Sequence, residues 1–147
     1  MKKQLYMVVT IIALITVAGL SSARAQTTVL LKANVPFEFS VGSKTMPAGQ
    51  YTVSCIGSGS SIRTLVLRSR DGHESILVRT ISVSGKIQDN AKLVFDRYGD
   101  RYFFAQAWLA ADSIGMQAPE SRTEKHMARE LAANKQARET VAVIAKR

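Results

Sequence analysis

The sequence predicts a mainly β protein: a single antiparallel β-sandwich or barrel of about seven or eight strands with one C-terminal α-helix. Short runs rich in β-branched and aromatic residues recur along the chain, with turn signals between them. No helical pattern separates these runs, so an antiparallel meander of hairpins is expected rather than parallel strands joined by crossover helices. A helical pattern appears only after residue 120.

The most distinctive stretch is the hairpin predicted for 91–109, which reads A-K-L-V-F-D-R-Y-G-D-R-Y-F-F-A-Q-A-W-L. Gly99 and Asp100 are expected to form a two-residue type II′ turn, because glycine accepts the positive φ that its first position requires. The expected cross-strand pairs are Tyr98 with Arg101, Arg97 with Tyr102, Phe95 with Phe104, Val94 with Ala105 and Leu93 with Gln106. The face expected to enter the core holds Leu93, Phe95, Phe104 and Trp108.

The other strands follow from alternation of apolar and polar residues between turn signals. In chain order they are two segments within 27–41 that meet at Asn34, Val35 and Pro36, then 50–56, Ile62–Ser69, 74–84 and 139–145. Turns are expected at Gly42 and Ser43, at 46–49, and around Asp71 and Gly72. A flexible loop is expected at 57–61. The last segment is expected to pair at a sheet edge or to close a barrel.

The region between the central hairpin and the last strand is predicted to be a loop followed by a helix. The loop covers 110–119, with Gly115 and Pro119 as breakers. Ser121 and Glu124 have the spacing of a capping box, which predicts a helix at about 122–133 ending near Asn134. Its apolar stripe, expected to pack on the protein's own sheet or alternatively on a partner, is Met127, Ala128, Leu131 and Ala132.

The first 25 residues have the pattern of a secretory signal peptide. Lys2 and Lys3 precede an apolar run at 5–20, and Ala23-Arg24-Ala25 forms a small-residue cleavage site before Gln26. An uncleaved anchor is the alternative, although the run is shorter than the roughly 20 residues of a membrane span. Residues 26–147 are then one β-rich domain, with a periplasmic or secreted location, and any membrane contact is expected through the signal segment alone.

The charge of the chain bears on its partners. It carries 20 Lys and Arg against 11 Asp and Glu, a formal net charge of +9. This balance is compatible with an anionic envelope polymer or another exported protein as partner. The cations are scattered, however, which is also typical of a solvated surface. Nucleic acid is not expected, because the aromatic residues interleave poorly with the basic ones and the chain has an export signal.

The sequence predicts no catalytic, cofactor-binding or metal-binding residues. His73 and His126 have no ligand-spaced partner, and no G-x-S-x-G motif occurs. The single cysteine, Cys55, alternates with Val53 and Tyr51 on one strand face and is expected to be buried and inert. A candidate binding patch at the hairpin tip consists of Arg97, Tyr98, Asp100, Arg101 and Tyr102. The alternative is that these residues form cross-strand pairs that only stabilise the hairpin.

Three runs carry a resemblance: V-P-F-E-F-S-V-G-S-K-T-M-P-A-G-Q-Y-T-V, K-L-V-F-D-R-Y-G-D-R-Y-F-F-A-Q-A-W and P-E-S-R-T-E-K-H-M-A-R-E-L. Together they resemble a family of small secreted β-domain proteins from soil bacteria. The resemblance implies a single exported domain, and it implies no activity and no functional residues.

These observations favour an exported, non-enzymatic β-domain with a binding or structural role. A carrier of a small apolar ligand in a barrel cavity is the first alternative. Large side chains expected to point inward argue for a filled interior instead: Phe37, Phe39, Phe95, Phe104 and Trp108. A hydrolase is the second alternative, and it would need a cleft that brings His73 or His126 to a serine or a carboxylate.

Overall fold

A computed structural model describes residues 27–56, 62–134 and 137–146. The strands in these segments are β1 Thr27–Val35, β2 Phe39–Val41, β3 Lys44–Met46, β4 Gly49–Ile56, β5 Ile62–Ser69, β6 Ser75–Ser84, β7 Lys92–Tyr98, β8 Arg101–Trp108, β9 Ile114–Gln117 and β10 Glu139–Lys146. The helix α1 covers Arg122–Ala133, and it is too short and too polar to cross a lipid bilayer. The predicted signal peptide and the predicted loop at 57–61 lie outside the described residues.

The strands form a closed eight-stranded antiparallel barrel, so the choice between sandwich and barrel is decided in favour of the barrel. Around the barrel the order is β8, β7, β10, β1, β4, β5, β6 and β9. The ring closes where Gln106 and Ala107 of β8 pair with Gln117 and Met116 of β9. The short β2–β3 hairpin extends the sheet from β8, with β2 parallel to that strand.

The predicted loop at 110–119 is wrong over four residues, because Ile114–Gln117 is the strand β9 that closes the barrel. Gly115 was interpreted as a breaker, but it allows a close approach of Trp108. A Cβ atom on Gly115 would lie 2.6 Å from Cε2 of the Trp108 ring. Glycine within a strand often marks such an approach.

The predicted meander is correct for β4–β5–β6 and for the β7–β8 hairpin. It is wrong between β6 and β7, and at β2, which pairs in parallel with β8. The strand β9 lies between β6 and β8, so the segment 85–91 crosses the barrel end instead of forming a hairpin. The N–H of Gly85 donates to the Ser113 carbonyl, and the N–H of Ala111 donates to the Gln88 carbonyl, both at 2.8 Å. The strand β10 lies between β7 and β1 and closes the barrel on that side.

The central hairpin confirms the predicted turn and three of the predicted pairs. Gly99 has a φ of 64°, and the pairs Tyr98–Arg101, Arg97–Tyr102 and Phe95–Phe104 all form. The two remaining predicted pairs are wrong, because a β-bulge at Ala105 shifts the register. Beyond the bulge, Val94 pairs with Gln106 and Leu93 pairs with Ala107.

The bulge also corrects the prediction that Trp108 faces the core. It turns Ala107 into the interior beside Leu93, and Trp108 then lies on the outer face opposite Lys92. There the indole Nε1 of Trp108 donates to Oε1 of Gln106 at 2.9 Å. Trp108 is still only 7% exposed, because the chain at Gly85 and Gly115 covers its ring.

Large side chains occupy the interior of the barrel. Fully buried interior residues include Leu31, Val35, Phe39, Met46, Tyr51, Leu65, Leu67, Leu93, Phe95 and Met116. Phe37, also expected inside, is half-buried and stacks on the Tyr102 ring with a centroid distance of 3.8 Å. Cys55 is buried on the interior face, which confirms its predicted burial, and the inertness of its thiol stays a prediction.

The helix α1 has the predicted bounds and caps. The N–H of Glu124 donates to Ser121 Oγ at 3.0 Å, and the Ser121 N–H donates to Glu124 Oε2 at 3.3 Å. Asn134 is the C-terminal cap. The helix contacts β7 on the outer face of the barrel. Of its predicted apolar stripe, Met127, Ala128 and Leu131 are half-buried and Ala132 is exposed.

Candidate functional site

A groove of about 620 Å³ lies on the outer surface where β10, β1 and β4 meet. We call it the cationic groove. Its lining side chains on that surface are Lys32, Asn34, Gln50, Thr52, Arg70, Ile144 and Lys146. None of the described residues that line it is acidic.

The strand pattern explains why these side chains meet. Ala33 and Val35 of β1 are buried in the core, so the alternating residues Lys32 and Asn34 face outward. In the described residues β1 pairs with β10 only at Lys32–Lys146 and Ala33–Ala145. The groove follows this short seam.

The groove holds an arginine fixed by a hydrogen bond and two lysines that face each other across a strand pair. Nη1 of Arg70 donates to Oε1 of Gln50 at 2.8 Å, which fixes the guanidinium at the groove edge. Lys32 and Lys146 are directly opposite each other and both exposed. Like charges at such positions destabilise a sheet. The pair is therefore unfavourable for the fold alone and favourable for an anion held between the two ammonium groups.

A second polar region, the carboxylate cluster, lies between α1 and the outer face of β7. It consists of Asp96, Glu120, Glu124, Arg138 and Tyr98, beside a cavity of about 180 Å³ to which all but Tyr98 contribute. Nη1 of Arg138 lies 3.4 Å from Oδ2 of Asp96 and 3.9 Å from Oε1 of Glu120. The cluster holds the start of α1 and the start of β10 against the barrel.

Burial sets the protonation of this cluster. Glu124 is 4% exposed, and burial raises its pKa to about 7, helped by the nearby Asp96 charge and opposed by the Ser121 hydrogen bond. Burial also raises the pKa of Asp96, although the Arg138 charge acts in the opposite direction. Among the described residues no group of three or more His, Cys, Asp or Glu side chains is arranged to hold a metal ion.

Sequence reasoning found neither region as a site. Glu124 was predicted only as a capping residue, and Asp96 was not among the candidate binding residues. One signal was present, because Asp96 alternates with Val94 and Tyr98 and therefore shares their covered face. The cationic groove left no local signal, since Lys32 and Lys146 are close to opposite ends of the chain.

The predicted patch at the hairpin tip is divided between two faces. Tyr98 is 2% exposed and belongs to the carboxylate cluster, where it is hydrogen-bonded to Arg138. On the opposite face the Arg97 guanidinium lies 5.6 Å from the Tyr102 ring centroid. Asp100, Arg101 and Tyr102 line a cleft of about 150 Å³ beside β2. A binding role for the part of the patch outside Tyr98 stays a prediction.

The two histidines lie on different elements, and both are exposed. His73 is in the β5–β6 turn, where its N–H donates to Oδ1 of Asp71 at 3.1 Å. His126 is on α1, with Nδ1 3.5 Å from Oε1 of Glu130 on the next turn of the same helix. The hydrolase alternative, which requires a cleft at one of these histidines, stays a prediction.

The chain matches no protein-family model, no curated protein and no solved structure. Its class is therefore given by its fold, which in the described residues is a closed eight-stranded antiparallel β-barrel with one helix close to the last strand.

Protonation of Glu124 is expected to make the protein more stable in weak acid than in weak base. The folded-state pKa of about 7 lies above the ordinary value of 4.5, so between these values the folded protein holds a proton that the unfolded chain releases. The stabilisation that protonated Glu124 gives the folded state is fully present below pH 4.5, its ordinary pKa, and is lost as the pH rises through the folded-state pKa of about 7. We expect the free energy of unfolding, measured by urea denaturation, to be about 1–3 kcal/mol lower at about pH 8 than at about pH 4.5 through this group.

The substitution Glu124→Gln tests this expectation, because glutamine keeps the acceptor of the capping box and removes the titration. It should make the pH profile shallower, with the remaining slope due in part to Asp96, whose pKa is also raised. The exposed control Glu130→Gln on the same helix should leave the profile steep. An unchanged profile in the Glu124→Gln variant would contradict the assignment.

Proposed function

We propose that this protein is an exported, non-enzymatic binding domain whose cationic groove takes an anionic polymer of the cell envelope. The observation that carries the proposal is the direct opposition of Lys32 and Lys146 in a groove whose described lining residues include no acid. A periplasmic or secreted location rests on the predicted signal peptide.

The chemistry of the groove suits a polymer of carboxylated or phosphorylated sugars. The lysines supply point charges for the anionic groups, and the Arg70 guanidinium supplies directed hydrogen bonds to their oxygens. The side-chain amides of Asn34 and Gln50 can pair with sugar hydroxyls. Ile144, which is 61% exposed, offers an apolar contact to a sugar face.

The carrier alternative is less favoured, because interior positions that would face a ligand are filled by aromatic and aliphatic side chains. Phe39 and Phe95 pack edge to face with a centroid distance of 5.1 Å. Tyr51 packs against Phe39 at 5.2 Å. The cationic groove lies on the outer surface of the barrel.

The test is a binding measurement with the mature protein, using polygalacturonate as the anionic polymer and dextran as the neutral one. The double variant Lys32→Gln/Lys146→Gln is expected to bind polygalacturonate at least about tenfold more weakly, because it removes the two positive charges that would contact the polymer's carboxylates. Its free energy of unfolding should stay level or rise by about 0.2–1 kcal/mol, because the repulsion across the seam is also removed.

The matched control is Lys86→Gln/Arg129→Gln, which lowers the net charge equally at exposed positions outside the groove. This control should retain most of the affinity. If both double variants lost the same affinity for polygalacturonate, binding would depend on net charge and not on the groove. If the protein bound dextran as tightly as polygalacturonate, the ligand would not need to be anionic.

A further inference from the structure

The outer face of β1, β4, β5 and β6 carries exposed aliphatic side chains and arginines together. The core-facing residues of these strands include Val53, Leu65, Leu67 and Val78, so the alternating positions point outward. We call this surface the basic aliphatic wall, and its defining residues are Val29, Ile62, Arg68, Leu77, Arg79 and Ile81.

The aliphatic side chains of the wall protrude from a continuous sheet. Leu77 is 63% exposed, Ile81 57%, and Val29 and Ile62 51% each. Register pairs join them: Val29 to Ser54, Ser54 to Val66, and Val66 to Leu77. Ile62 pairs with Ile81 in the same way. Val66 with Leu77 and Ile62 with Ile81 are thus two adjacent apolar pairs on one sheet face. Clustered exposed apolar residues mark an interaction site more often than scattered ones do.

The charge of the wall has one sign. Arg79 lies between Leu77 and Ile81 on β6, and Arg68 lies two residues beyond Val66 on the same face of β5. Polar outward positions between these residues include Ser54 opposite Val66 and Thr64 opposite Arg79, which carry no charge. No described outward residue on these four strands is acidic.

We propose that the basic aliphatic wall docks on an anionic phospholipid surface. Protruding aliphatic side chains enter the headgroup–acyl boundary without needing a complementary pocket, and flanking arginines reach lipid phosphates. A second copy of the chain is a poor occupant, because a symmetric interface would bring the same arginines together across two copies that both carry a net positive charge.

A hollow of about 430 Å³ at the end of the wall supports a lipid partner. Ile62 and Ile81 form its apolar side, and Arg79 and Lys125 also line it. The combination fits a phosphate headgroup above the start of an acyl chain. Glu120 also lines the hollow, and its Oε1 lies 3.9 Å from Nη1 of Arg138, which offsets its charge.

This proposal goes beyond the proposed function and beyond the sequence expectation of a membrane contact through the signal segment alone. It also rests on separate residues, since none of the six that define the wall lines the cationic groove.

The experiment is co-sedimentation of the mature protein with phosphatidylglycerol vesicles and with phosphatidylcholine vesicles. We expect binding to the anionic vesicles only, and its loss at about 1 M salt, where charges more than about 3 Å apart are screened. Leu77→Ser/Ile81→Ser should weaken partitioning at least about tenfold. Arg68→Gln/Arg79→Gln should also weaken it, and should reduce its salt dependence.

Two control variants match these changes away from the wall. Ile87→Ser/Ile114→Ser removes side chains that are 71% and 41% exposed on the crossover segment and on β9, and Lys86→Gln/Arg129→Gln removes two charges. Both should bind vesicles nearly as the unmodified protein does, and circular dichroism should show that every variant is folded. The wall variants should still bind polygalacturonate, which separates this proposal from that of the groove.

Either of two results would overturn the proposal. One is that wall and control variants bind vesicles equally well. The other is that the unmodified protein elutes as a dimer in size-exclusion chromatography and Leu77→Ser/Ile81→Ser elutes as a monomer, which would assign the wall to self-association.

Discussion

Phe104→Ala is expected to lower the free energy of unfolding by about 3–5 kcal/mol, the range for truncation of a buried aromatic side chain. Phe104 is 4% exposed in the core cluster. Its ring centroid lies 6.0 Å from that of Phe95, the residue opposite it on β7. Because β8 is held by β7 on one side and by β2 and β9 on the other, the strands around Phe104 cannot readily move into the space left by the ring.

Urea denaturation followed by the fluorescence of Trp108, the only tryptophan of the chain, measures this effect. The control Arg101→Ala, at an exposed position on the same strand, is expected to cost about 0.5 kcal/mol or less. A loss below about 1 kcal/mol for Phe104→Ala would show that the ring is not part of the core.

Gly115→Ala is expected to lower the free energy of unfolding by about 1–3 kcal/mol, as overpacking does in a closed structure. The added Cβ would lie 2.6, 2.7 and 2.8 Å from three atoms of the Trp108 ring. The ring is held by its hydrogen bond to Gln106, so either the indole or the strand β9 must move. Movement of β9 would weaken the pairs that close the barrel.

The sign of the effect is diagnostic, because alanine in place of glycine within a strand otherwise raises stability by about 0.5–1 kcal/mol. The double variant Trp108→Leu/Gly115→Ala supplies the control. Relative to Trp108→Leu alone, the alanine should cost nothing or be stabilising. Urea denaturation followed by circular dichroism suits this series, since the tryptophan is absent from two variants. A stabilising Gly115→Ala in the unmodified background would place the ring elsewhere.

Local signals in the sequence determined the elements whose causes lie within a few residues. The turn at Gly99 follows from the need for a positive φ, and the pairs nearest to it follow from the two-residue loop length. The helix follows from the reciprocal hydrogen bonds of Ser121 and Glu124. Alternation on β4 placed Cys55 in the interior. The positive net charge suggested an anionic partner without indicating where it would bind.

Tertiary structure decided what depends on residues distant in the chain. A single bulge at Ala105 exchanged the faces of Ala107 and Trp108, because side chains alternate with a period of two and an extra residue reverses every position beyond it. The short strand β9 has a weak local pattern and forms because β6 and β8 both offer it hydrogen-bonding partners.

The candidate sites depend on the same closure of the barrel. Lys32 and Lys146 meet because β10 enters the barrel beside β1, and Asp96 and Glu124 meet because α1 lies over β7. Neither of these two contacts is indicated by the sequence around the residues that form it. Periodicity and turn chemistry act over a few residues, so the sequence alone determined most of the strands. The cationic groove and the carboxylate cluster exist only because distant strands pair and because the helix packs across β7.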